Sequence, residues 1–220
     1  MKETLKKYWH NHYKTSFSHR AFVITFTSSI LLLILSLYVN FLAGTFATHA
    51  ESNPVTDIIL SNIRVYDVES IFITGSIIQA FFIAFLCFLY PKKTPFILKS
   101  IALFTIIRSV FISITHIGPF PTHVYINPTS VINKFTFDGD LFFSGHTGLP
   151  FLMALVFWNN KYLRFFFLFS SVVFGVTVLL AHLHYSIDVL GAFFITYTIY
   201  HISEFLFRND RKLFLDEPIQ

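Results

Sequence analysis

Two short polar runs hold the residues best suited to chemistry. His146 stands in Ser144-Gly145-His146-Thr147, and His184 stands four residues before Asp188 in His184-Tyr185-Ser186-Ile187-Asp188. Residues i and i+4 share a helical face. Asp188 can therefore accept from one imidazole nitrogen of His184, fix the tautomer and leave the other nitrogen free as nucleophile or base. The alternative is that Asp188 caps a helix and His184 packs in a headgroup layer. Ser-Gly-His-Thr has the makings of a helix start. There the free N–H groups and the positive end of the dipole attract phosphate, and Gly145 lets an anion approach. Ser144 and Thr147 add hydroxyl donors, and His146 can give or take a proton; capping by Ser144 or Thr147 is the plainer alternative. Arg108 lies deep in an apolar run and needs an anionic partner, either a phosphate or one of Asp57, Asp67 and Asp140. Two histidines, an aspartate, an arginine and a helix N-terminus together describe a phosphoryl-transfer site. A metal centre does not fit, because His182 and His184 do not share a helix face and no second His/Cys cluster has ligand spacing.

The elements that position these residues belong to a membrane protein. Of the 220 residues 54% are hydrophobic, 30 are Phe and only 13% are charged, about half the charged share of a soluble domain. Mean hydropathy is +0.63, so lipid is the solvent. The single cysteine, Cys87, cannot form an intramolecular disulfide and is silent on redox compartment.

Six spans follow from the apolar runs: 21–50, 71–90, 95–117, 141–158, 164–180 and 186–207. The expected fold is an all-α six-transmembrane bundle over residues 21–207. A basic segment, 1–20, precedes it and a tail, 208–220, follows. The basic segment is either an interfacial helix or a solvated tail. A cleavable signal peptide is not expected, since the apolar run after it has full span length. With the N-terminus inside, Lys2, Lys6, Lys7, Lys14, Arg20, Lys92, Lys93, Lys99, Lys161, Arg164, Arg208, Arg211 and Lys212 fall on the cytoplasmic side. Only Arg64, Arg108 and Lys134 fall outside, so both termini are expected in the cytoplasm. The net charge of +4 is then a topology signal, and no nucleic-acid partner is needed. The starts of spans four and six, the Pro54-Val-Thr-Asp57 loop and Arg108 gather at the outer face. Short loops suggest a bacterial-style inner membrane.

At these residues the sequence resembles the sphingomyelin synthase branch of the type 2 phosphatidic acid phosphatase (PAP2) superfamily. Gly139-Asp140-x-x-x-Ser144-Gly145-His146-Thr147 and His184-Tyr185-Ser186-x-Asp188-Val189 match its two histidine motifs. Arg108-x6-Thr115, followed by Pro119-Phe120-Pro121, matches a supporting one, and Pro54-Val-Thr-Asp57 resembles the branch's Pro-x-Pro-Asp loop with Thr56 in place of the second proline. The resemblance implies a phosphohistidine on His184, oriented by Asp188, with His146 as acid and then base. It also implies Arg108, Ser144, Gly145 and Thr147 around the phosphate, and Asp57, Thr115, Asp140 and Tyr185 in support. No metal or cofactor is implied. Asp138 replaces an expected cysteine and Thr105 an expected tyrosine, and an arginine pair is missing; the chemistry stands and the lipid is open. The implied activity moves a phosphocholine-like head group from a membrane phospholipid donor to a lipid alcohol acceptor such as ceramide or diacylglycerol. Water as acceptor would make a lipid phosphate phosphatase, and a non-catalytic lipid-binding protein is a third reading.

Overall fold

A computed structural model describes residues 17–124 and 141–216. Among them are seven helices and no strand: α1 (Arg20–His49), α2 (Glu69–Leu89), α3 (Thr94–Ile114), α4 (Gly145–Val156), α5 (Lys161–Leu180), α6 (Ser186–Leu206) and α7 (Arg208–Asp216). Five of them, α1, α2, α3, α5 and α6, are long and apolar enough to cross a membrane. The 30-residue α1 spans about 45 Å at the helical rise, more than the roughly 30 Å of hydrocarbon. Leu31, Ile34, Leu35 and Phe41 on it stay exposed, as lipid-facing residues do. The chain is an all-helical integral membrane protein.

The fourth apolar run departs from expectation. A span over 141–158 was anticipated, yet α4 covers only 12 residues, about 18 Å. Leu141–Ser144 stay non-helical, and the carbonyls of Leu141 and Phe143 accept from His184 and Arg108 instead of closing helical turns. This short helix is largely enclosed: Leu152, Met153 and Ala154 have no exposed surface, and α3, α5 and α6 all touch it. A Cβ on Gly148 would stand 2.8 Å from both the Phe104 ring and Thr196 Oγ1, so only glycine lets α3 and α6 approach so closely. α4 is a buried hub. Meanwhile α1 lies along α3, and α2 packs more lightly, against α5 and α3 and through Phe72 against His146 of α4.

Loops seal one end of the bundle. The Ser52 amide donates to the His116 carbonyl at 2.9 Å, Tyr66 N to Leu180 O at 2.9 Å and Val124 N to Ala181 O at 3.0 Å. The third span stops at Ile114, three residues short of the expected 117, because Thr115 turns extended and the following residues join this seal.

The opposite end is closed by α7, where the sequence suggested only a tail. Lys99, in α3, pairs with Asp210 of α7 at 2.7 Å. Lys93 Nζ donates to the Phe214 carbonyl. Arg211 donates to Glu204 at 3.1 Å, to the Tyr200 hydroxyl at 2.8 Å and to Val156 O at 3.3 Å, so α7 ties the ends of α4 and α6 together. The basic segment 1–20 falls almost wholly outside the described residues, as do Gly139 and Asp140.

Candidate active site

His184 ends the short turn between α5 and α6. Its Nδ1 lies 2.8 Å from the Leu141 carbonyl and 3.5 Å from Asp188 Oδ2. A carbonyl only accepts, so Nδ1 carries the proton and Nε2 keeps its lone pair. The closer orienting group is thus a backbone oxygen; the carboxylate, which the i,i+4 spacing suggested, is the more distant one. Asp188 Oδ2 instead accepts from the Tyr185 amide at 2.9 Å, capping α6, and its Oδ1 is buried without a hydrogen-bond partner. The Asp188 carbonyl accepts from the Ser144 amide at 3.2 Å. One bond therefore joins the first turn of α6 to the cap of α4.

At that cap, Ser144 Oγ receives the Thr147 amide at 3.3 Å and the Thr147 hydroxyl at 3.1 Å. Both side chains have no exposed surface, and the Thr147 carbonyl accepts from Ser171 at 2.7 Å. The hydroxyls expected to reach a phosphate face each other inside the protein. What the α4 terminus does present is the amides of Gly145 and His146, which have no acceptor within their own helix.

Arg108 comes to the same terminus from α3. It is 7% exposed, and its Nε donates to the Phe143 carbonyl at 2.8 Å. A Cβ on Gly145 would lie 3.1 Å from Arg108 Nε and 3.3 Å from Cζ, so glycine lets the guanidinium rest on the helix start. His146 packs against the Phe72 ring, tilted by 42° with centroids 4.2 Å apart, and lies within electrostatic reach of both His184 and Arg108.

Arg108, Gly145 and His146 line a cleft of about 400 Å³ whose other walls are mainly apolar, with Leu37 of α1, Ala80 of α2, Ile101 and Phe104 of α3, Leu149 of α4 and Phe174 of α5. Ser144, Thr147, His184 and Asp188 are buried and are not part of this lining.

The supporting residues form a brace. Asp57 Oδ1 accepts from Ile59 N at 2.8 Å and Leu60 N at 3.1 Å, and Oδ2 from Ser186 N at 2.7 Å. It thereby fixes the loop onto the start of α6. Burial pushes its carboxyl up, but the Ser186, Leu60 and Ile59 amides and the Ser186 hydroxyl outweigh that and hold it below the usual carboxylate range. The Tyr185 hydroxyl donates to Gly118 O at 2.8 Å and accepts from Val55 N at 3.2 Å; burial pushes this phenol up. Thr115 caps the end of α3 and does not line the cleft. Asp67, another candidate partner for Arg108, accepts from Glu69 N at 3.2 Å at the start of α2. Among the described residues no group of three His, Cys, Asp or Glu is placed to hold a metal.

Sequence reasoning missed the Leu141 and Phe143 carbonyls, which no side-chain pattern encodes, and Phe72, one aromatic among many. It also missed Gln79, a polar residue in the apolar α2, which the hydropathy break alone could have flagged.

Fold and site together define a helical membrane protein whose two histidine motifs open adjoining helices beside an arginine. Residues 139–205 match the family model described as PAP2 superfamily C-terminal, a stretch that contains both motifs. This match supports the superfamily. No curated protein and no solved structure matches the chain.

Proposed function

We propose that the protein is a membrane lipid phosphotransferase of the sphingomyelin synthase-like kind. The carrying observation is the His184 ring, whose Nδ1 is held by Leu141 O at 2.8 Å so that Nε2 keeps its lone pair. His146 lies within electrostatic reach of that ring, and Arg108 rests on the start of the helix that carries His146.

In the first step His184 Nε2 attacks phosphorus of the donor phospholipid and the phosphorus–glycerol oxygen bond breaks. Protonated His146 gives its proton to the departing alkoxide, releasing the lipid alcohol and leaving a head-group phosphohistidine. In the second step the acceptor hydroxyl oxygen attacks phosphorus, His146 takes its proton and the phosphorus–nitrogen bond breaks. Arg108 and the Gly145 and His146 amides hold the non-bridging oxygens as charge develops on them. Ser144 and Thr147 build the α4 terminus that presents those amides. Asp188 settles the α6 turn, and Asp57 and Tyr185 brace it. The donor is a phosphocholine-like glycerophospholipid and the acceptor ceramide or diacylglycerol. Both termini lie in the cytoplasm and the site faces the opposite side, in keeping with the distribution of Lys and Arg.

The same residues with water as acceptor make a lipid phosphate phosphatase. Purified protein in lipid discs with head-group-labelled phosphatidylcholine, with and without ceramide, separates the two. Transfer predicts labelled sphingolipid that depends on added ceramide and on His184. Release of soluble head group indifferent to ceramide would overturn it in favour of hydrolysis.

A further inference from the structure

Gln79 takes no part in the chemistry above, yet it lines the same cleft as His146 and Arg108. It sits in the middle of α2, is 7% exposed, and its Oε1 is buried without a hydrogen-bond partner. A carboxamide left unpaired in apolar surroundings is costly, and native proteins rarely keep one without a use. The hydroxyls in the lining do not serve it: Ser76 donates to Phe72 O at 2.6 Å and Thr105 to Ile101 O at 2.9 Å, each within its own helix.

Depth gives the orphan a meaning. Gln79 lies ten residues into α2 from Glu69, about 15 Å, and Arg108 six residues back from Ile114 at the same end of the bundle, about 9 Å. With a lipid phosphate at Arg108, the polar groups that join phosphate to acyl chains arrive roughly one helical turn deeper, at Gln79. A carboxamide offers an acceptor and two donors. Ester linkages only accept, and leave Oε1 orphaned. A secondary amide or a hydroxyl both gives and takes, and satisfies both ends.

We propose that Gln79 is a specificity residue for the acceptor side of this cleft, favouring lipid alcohols and their phosphoryl products that carry an N–H or O–H donor next to the phosphate over acceptors linked by esters alone; the diacyl donor binds without that bond. The proposal rests on the phosphotransfer reading for the placement of the phosphate, and extends it to the lipid backbone.

The test is binding, so that it does not depend on turnover. His184→Ala protein in detergent is titrated with ceramide 1-phosphate and with diacyl phosphatidic acid of matched chain length, each displacing a fluorescent lipid. The same titrations are run with Gln79→Leu and Gln79→Met added, the second keeping the side chain unbranched should the first not fold. The expected result is a preference of about tenfold for the amide lipid that falls to near unity in either variant. No preference in the parent, or the same preference with Gln79 replaced, would overturn the proposal. Failure of the phosphotransfer reading shows elsewhere, as absence of turnover in protein with His184 intact.

Discussion

The backbone amide of Ser144 donates to the carbonyl of Asp188 at 3.2 Å, and this bond sets the two histidine motifs edge to edge. Residues some forty positions apart in sequence thereby share one local frame. Ser144 caps the helix that carries His146, and Asp188 lies one turn beyond His184.

That frame predicts an uneven cost for two substitutions. His184→Ala removes the nucleophile, and phosphoryl turnover should fall by about 10⁴-fold or more. Asp188→Asn should cost less, about 10²-fold, because Leu141 O at 2.8 Å already excludes the wrong tautomer. Turnover of labelled phospholipid by the two variants checks the order; equal losses would assign orientation to the carboxylate.

Gly145 and Gly148 should fail in different ways. Gly145→Ala sets a methyl 3.1 Å from Arg108 Nε and should lower turnover about tenfold while the melting temperature stays close to that of the parent. Gly148→Ala drives a methyl into Phe104 and Thr196 at 2.8 Å and should cost about 1–3 kcal/mol of stability. Paired activity and thermal-unfolding measurements in detergent distinguish them.

The helix starts at Gly145 and Ser186 are legible in sequence because each couples a cap, a small residue and a sudden apolar run. Arg108 is legible because a guanidinium inside such a run demands an anion. The length of α4 is not, since its apolar run continues past both ends while the local carbonyls are committed elsewhere. Nor is the docking of α7. Its Asp210 and Phe214 are buried by contacts with Thr25, Lys93, Lys99 and Phe96, residues far away in sequence. Ser144 and Thr147 show the same limit: their types fit phosphate binding or capping equally, and only the direction of the side chains separates the two.

Asp57 makes the loop brace pH-dependent in a defined sense. Its carboxyl titrates below the ordinary range, so the stability it contributes is complete above the unfolded value, near 4. It is lost only as pH falls through the lower folded value. The gap in melting temperature between the parent and Asp57→Asn should hold from about pH 7 to 5 and close in stronger acid. A gap that widens toward acid would contradict the assignment.

At the far end, Asp210→Ala removes the carboxylate that faces Lys99 at 2.7 Å, leaving it the Thr25 hydroxyl at 2.8 Å, and should cost about 3 kcal/mol. Adding Lys99→Met should recover part of that loss in thermal unfolding, because the half-buried charge is then removed too.

The most direct test of the account is to catch the intermediate. Protein in lipid discs is mixed with phospholipid, quenched in alkali within milliseconds, digested, and the peptide containing residue 184 is weighed by mass spectrometry. The account predicts a head-group-phosphoryl adduct on His184 that is stable in alkali, labile in acid and absent from His184→Ala. Turnover with no adduct on His184, or an adduct on His146 instead, would contradict it.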